Sequence, residues 1–114
     1  MSEQKELMIE TLDTAMEYML KLIKAIDMYN GYIHENKLKE GMNLFSYIVE
    51  GLEWLTNALM FTGPIQNNSI NIEKLRETFP KLLNKFENEN YMSVSDILQY
   101  EIKPLLQKWS NRLN

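Results

Sequence analysis

The chain has 114 residues, 45% hydrophobic and 25% charged, which fits one globular domain and excludes a wholly disordered chain. Its 12 basic and 16 acidic residues give a net charge of −4, which argues against nucleic acid as a partner because nucleic-acid-binding proteins present basic surfaces. The absence of cysteine excludes disulfides and thiolate catalysis, and a single histidine excludes most histidine metal sites.

The distribution of apolar and helix-breaking residues predicts the cellular location of the protein and the division of the chain into helical segments. The polar start, Met1 to Glu6, is unlike a signal peptide, and no apolar run approaches the roughly 20 residues that cross a bilayer. We therefore expect a cytoplasmic protein that has no membrane partner and forms one domain over residues 1–114. Breaks near 30–31, 63–71 and 87–90 predict four helical segments.

The first segment, residues 3–30, is predicted to form an amphipathic helix. Its apolar residues share one broad face, whereas Glu10, Asp13 and Glu17 lie on the other face. Gly31 follows where a left-handed residue commonly ends a helix, so we expect the helix to end just before it. His34 has no partner at metal-ligand spacing and is interpreted as a surface or cap residue.

The second segment, residues 36–62, is apolar over more than half of its circumference. One apolar row recurs every seven residues from Leu38 to Leu59. A helix of this kind either lies between neighbours in a bundle or contacts a partner.

A second row on the far side of this segment consists of aromatic residues. Tyr47, Trp54 and Phe61 are spaced seven apart, and Gly51 and Ala58 beside them would let another helix approach closely. The row is either part of the core or an exposed binding face, because tyrosine and tryptophan are enriched at interfaces. Both interpretations stay open at the level of the sequence.

The third segment, residues 72–86, carries a clean apolar stripe, and Asn71 is its expected N-cap. Pro80 lies inside this segment, where we expect it to kink the helix, because proline removes a backbone donor and clashes with the preceding turn.

The fourth segment, residues 91–113, also carries one stripe, and Ser93 is its expected N-cap. Pro104 either kinks this helix or starts a short fifth helix. Alternating β-branched runs are missing, so no strand is predicted. The sequence therefore predicts an all-α, four-helix up-and-down bundle, with a fifth short C-terminal helix as the variant, and a loop at 63–71 that is the longest and least constrained.

No residue pattern predicts catalysis, a metal site or a cofactor. Serines lack a histidine–acid pair, no glycine-rich phosphate loop occurs, and the paired glutamates fall on polar faces. Glu101 is the exception because it projects near the edge of the fourth stripe. An ion pair at the rim is the favoured interpretation, and a small-ligand or enzymatic pocket around Tyr100 and Glu101 is the alternative.

Two runs of sequence carry a resemblance. Residues 50–55 (EGLEWL) and 89–105 (ENYMSVSDILQYEIKPL) resemble an uncharacterised family of small helical proteins from low-GC Gram-positive bacteria. The size and all-helical plan are also similar to flagellar export chaperones, which are bundles that wrap or cap a helical segment of an export substrate. The second resemblance implies a helical protein segment as partner.

The leading hypothesis is a non-catalytic protein-binding, adaptor or chaperone-like module that holds a helical partner or a second copy of itself. Its predicted anchors and close-approach positions lie on helix two: Tyr47, Gly51, Trp54, Ala58 and Phe61. A pocket near Tyr100 and Glu101 and a purely structural dimerisation unit are the alternatives.

Overall fold

The computed structural model describes residues 2–113, so Met1 and Asn114, the two ends of the predicted domain, lie outside the described residues. The helices are α1 (Glu3–His34), α2 (Leu38–Phe61), α3 (Glu73–Glu87), α4 (Tyr91–Ile97) and α5 (Lys103–Leu113). A 3-10 turn (Gly63–Ile65) follows α2, and a π-helical turn (Leu98–Ile102) joins α4 to α5 without a break. Residues 2–113 contain no strand, which confirms the predicted all-α fold.

Helix α1 is the central rod of the bundle. Helix α2 packs along one side of α1, the continuous α4–α5 rod packs along another, and α3 packs on α4. The core lies between these rods and includes the fully buried side chains of Met19, Leu22, Ile26, Ile48, Leu52, Leu98 and Leu106. The α2 and α3 backbones stay further apart, and the stacked rings of Phe45 and Phe86, 3.9 Å between centroids, connect them.

Helix α1 continues past Gly31 to His34, so the predicted end at Asn30 was wrong. No described glycine has a positive φ, and the left-handed residue after α1 is Asn36. The N–H of Lys37 donates to the Tyr32 carbonyl at 2.8 Å, which closes the helix in the Schellman arrangement around Asn36. Asparagine tolerates this conformation, so the glycine was not needed there.

The capping predictions were wrong by one to three positions. Asn90, rather than Ser93, caps α4, because its side chain accepts the Ser93 N–H at 3.2 Å. Ile72 occupies the cap position of α3, and the Asn71 side chain accepts the Glu73 N–H at 2.9 Å from one residue earlier.

Pro80 and Pro104 both lie inside helical rods. Helix α3 continues through Pro80. The α4–α5 rod widens to π geometry over Leu98–Ile102 and resumes α geometry at Lys103, one residue before Pro104. The wider turn falls where proline would otherwise clash with the preceding carbonyl, so Pro104 is accommodated within a continuous rod.

The loop between α2 and α3, the longest between α-helices of the described chain, contains a buried polar side chain. Gln66 is buried, and its amide nitrogen donates to the Leu59 carbonyl and to the Thr62 hydroxyl, each at 3.0 Å. Its amide oxygen accepts the Ile70 N–H at 2.9 Å. One side chain therefore ties the end of α2 to the residues that lead into α3.

Candidate functional site

Three aromatic side chains lie together on the outer side of the α1–α2 pair, and we call them the aromatic surface. Tyr47 and Trp54 of α2 are 39% and 40% exposed, so neither belongs to the core. Tyr18 of α1 lies edge-on to both rings, with centroids 6.1 Å from Tyr47 and 5.5 Å from Trp54. These are the perpendicular contacts that aromatic pairs prefer, and they join both helices into one surface.

Gly51 and Ala58 lie beneath this surface. Ala58 is buried, and a Cβ placed on Gly51 would lie 2.7 Å from the Leu22 Cδ2 atom and 2.9 Å from the Tyr18 ring. The predicted close approach of another helix is therefore present, and the approaching helix is α1 of the same chain. The missing side chain at Gly51 lets α1 and α2 approach closely and leaves room for the Tyr18 ring.

Phe61, the third member of the predicted row, is half-buried at the last residue of α2. It completes the seven-residue spacing, but the described aromatic contacts of the surface are made by Tyr18 instead. Tyr18 was not singled out from the sequence, because its place beside Trp54 depends on how α1 and α2 pair.

Two shallow concavities of about 340 Å³ each extend the surface along the groove between α1 and α2. One is lined by Thr14, Tyr18 and Trp54. The other is lined by Met28, Tyr32, Glu40, Asn43, Leu44 and Tyr47. A groove with successive apolar depressions matches the side chains that an amphipathic helix presents every three or four residues.

The environment of Tyr18 favours its neutral form. Burial, the neighbouring Tyr47 hydroxyl and the negative charge of Glu50 together raise the pKa of Tyr18 to about 12. The carboxylate of Glu50 therefore lies close to the aromatic surface.

The two residues of the alternative site have different surroundings: Tyr100 faces solvent, and Glu101 forms an ion pair. Tyr100 is 77% exposed on the π turn, and Glu101 beside it accepts from the Lys81 ammonium with both oxygens, at 2.9 and 3.0 Å. This is the rim ion pair favoured for Glu101, and it ties the π turn to α3. The pairing gives the carboxylate a structural partner.

A cleft that the sequence did not predict separates α2 from α3. It has a volume of about 350 Å³ and is lined by Glu53, Thr56, Asn57, Leu75, Arg76, Phe79 and Pro80. Pro80 has no N–H to donate, so the Arg76 carbonyl lacks its usual helical partner. Arg76 itself pairs with Glu73 at 3.4 Å along the same helix.

Over residues 2–113, no group of three acidic or histidine side chains is arranged to hold a metal ion. His34, in the last turn of α1, places its Nδ1 atom 2.8 Å from the Asn30 carbonyl. No helix in the described part of the chain is long and apolar enough to span a bilayer.

The model of a domain of unknown function, DUF8042, matches residues 10–112, so the chain belongs to this uncharacterised domain family. No match was found among curated proteins or among solved structures. The family carries no assigned function, and the likeness to flagellar export chaperones stays a prediction.

Proposed function

We propose that this member of a family of unknown function is a non-catalytic protein-binding module of the cytoplasm, which seats a helical segment of a partner protein on the aromatic surface. The observation that carries the proposal is the exposure of Tyr47 and Trp54 side by side, with Tyr18 in edge-on contact with both. Tryptophan and tyrosine are the residues that most often dominate binding energy at protein interfaces.

The platform beneath these rings is rigid, which favours binding. Gly51 is buried against Leu22 and Tyr18 of α1, so the two helices cannot move apart without opening packed contacts. Side chains held in place before binding lose little conformational entropy when a partner arrives. The concavities on either side of the aromatic rings lie along the helix axes, which suits a partner helix laid into the α1–α2 groove.

The test substitutes the exposed tryptophan and compares it with an exposed methionine on another face. Trp54→Glu puts a charge into the aromatic surface, whereas Met60→Glu puts one at a position that is 53% exposed and about 120° further round α2. Affinity capture from host lysate with identification by mass spectrometry should recover a partner with wild type and with Met60→Glu. Trp54→Glu should lose that partner by about tenfold or more.

Circular dichroism must first show that both variants keep the wild-type helix content. Equal capture by all three proteins would refute the aromatic surface as the binding site. If light scattering instead shows a dimer that Trp54→Glu dissociates, the occupant is a second copy of the chain and the helical-partner proposal is wrong.

A further inference from the structure

We propose that the segment seated on the aromatic surface is a basic amphipathic helix, with lysine or arginine residues flanking its apolar stripe. This inference depends on the proposed function and adds the chemistry of the partner. It is carried by exposed carboxylates on the two helices that form the aromatic surface, which we call the acidic margin: Glu10, Asp13 and Glu17 on α1, and Glu50 on α2.

The antiparallel pairing of α1 and α2 brings these carboxylates together. Gly51 lies against Tyr18 and Leu22, and Gly41 lies against Ile33, so the C-terminal half of α2 runs alongside the N-terminal half of α1. Glu50 precedes Trp54 by one helical turn, and Glu17 is adjacent to Tyr18 in the chain. Carboxylates therefore stand on the α1 side and on the α2 side of the aromatic surface.

Within residues 2–113, no carboxylate of the acidic margin is held in a salt bridge. The salt bridges of residues 2–113 join Lys37 to Glu35, Arg76 to Glu73, Lys81 to Glu101 and Lys103 to Asp27, and none of them includes a residue of the margin. The sequence between Lys39 and Lys74 contains no basic residue. Lys21 and Lys24 are exposed on α1, and Lys21, three residues after Tyr18 and four after Glu17, offsets part of the acidic charge on that helix.

The spacing of the carboxylates is unfavourable for the isolated protein. Glu10, Asp13 and Glu17 are three and four residues apart on α1. Like charges at these spacings repel each other and destabilise a helix by a few tenths of a kcal/mol per pair. A cationic partner would relieve this repulsion on binding.

The aromatic rings favour a cationic partner for a second reason. Lysine and arginine are attracted to the faces of tryptophan and tyrosine, and tryptophan gives the strongest attraction. A basic helix can therefore place its apolar stripe in the groove, while its long side chains reach the ring of Trp54 and the carboxylates beyond it. A second copy of the chain fits less well, because a symmetric dimer would bring the same acidic margin from both molecules to one interface.

The probes are two synthetic amphipathic helices, each about 18 residues long, a length at which an amphipathic sequence can form a helix. Both carry the same leucine and alanine stripe, and their polar positions are all lysine in one and all glutamate in the other. Binding to the full chain is measured by fluorescence anisotropy of the labelled peptides. The lysine peptide should bind at least about tenfold more tightly, and the difference should shrink in about 0.5 M NaCl.

Matched variants show which carboxylates attract the lysine peptide. Glu17→Gln with Glu50→Gln should reduce the affinity for the lysine peptide severalfold. Glu77→Gln with Glu87→Gln, which removes the same charge from exposed positions on α3, should leave that affinity near the wild-type value. Trp54→Ala should weaken binding of the lysine peptide by about tenfold.

The outcomes separate the two proposals. Equal binding of both peptides, lost in Trp54→Ala, would overturn the basic-helix inference and leave the proposed function standing. Binding of the lysine peptide that is insensitive to Trp54→Ala, or equally reduced by both pairs of glutamine substitutions, would mean attraction to net charge alone and would also overturn the inference. If neither peptide binds, the inference and the helix-binding function are both wrong.

Discussion

Replacing Gly51 with alanine tests the close packing on which the aromatic surface depends. The new Cβ would lie 2.7 Å from Leu22 Cδ2, about 1 Å short of the usual separation of roughly 3.5–4.0 Å between carbon atoms. Alanine gains about 1 kcal/mol of helix propensity over glycine. Overpacking of a tight interior typically costs about 1–3 kcal/mol. We therefore expect a net loss of about 1 kcal/mol in the free energy of unfolding.

Gly31→Ala is the matched control within the same bundle. Gly31 lies inside α1 with a negative φ, and a Cβ there would meet no atom within 4 Å. This variant should gain about 0.5–1 kcal/mol, so the two variants should differ by about 2 kcal/mol in urea unfolding followed by circular dichroism. If Gly51→Ala proves as stable as Gly31→Ala, a methyl group fits between α1 and α2 and the close-packing argument fails.

Three further substitutions test single contacts by urea unfolding. Gln66→Ala should cost about 2 kcal/mol because it removes the buried hydrogen bonds to Leu59 and Thr62 and leaves the part-buried Ile70 N–H unpaired; a cost equal to that of exposed Asn67→Ala would refute the role of Gln66 in holding the loop. Tyr29→Phe should add about 1 kcal/mol, since its buried hydroxyl has no hydrogen-bond partner in residues 2–113; a loss would show a hidden partner. Partial burial raises the pKa of Asp27, but hydrogen bonds from Lys103 and Gln99 outweigh it and leave this pKa lowered. Asp27→Asn should therefore cost about 0.2–1 kcal/mol at pH 6, and the difference from wild type should disappear as the pH falls below about 4. A difference that persists at lower pH would show that ionisation is not its source.

The helices could be predicted because their apolar residues recur at helical spacing, whatever the rest of the chain does. The positions where they end could not, because several local solutions compete. Gly31 permits a left-handed turn and also tolerates a helical conformation, and the Asn36 turn, closed by the Lys37 N–H, fixed the end of α1. In the sequence, Gln66 is likewise one of several polar residues of a loop. Only the folded chain brings the Leu59 carbonyl and the Ile70 N–H within hydrogen-bond distance of its side chain.

The candidate site could also be predicted only in part from the sequence. Tyr47 and Trp54 were singled out from their spacing alone, since residues seven apart share one face of a helix wherever it packs. Whether that face is core or surface depends on how many neighbours surround α2, and the structure leaves it half exposed. The close approach at Gly51 is made by α1, whereas the spacing of Gly51 and Ala58 could not show whether the approaching helix belongs to the same chain or to a partner.

By itself the sequence determined the helical class, the number of segments, the charge balance and the aromatic row, because these follow from residue type and local spacing. Tertiary structure decided that Tyr18 lies edge-on to Tyr47 and Trp54, and that carboxylates of α1 and α2 flank the same surface. These residues lie some thirty positions apart in the chain. Only the antiparallel packing of two long helices brings them into contact, and that register is set by side chains fitting across the whole interface.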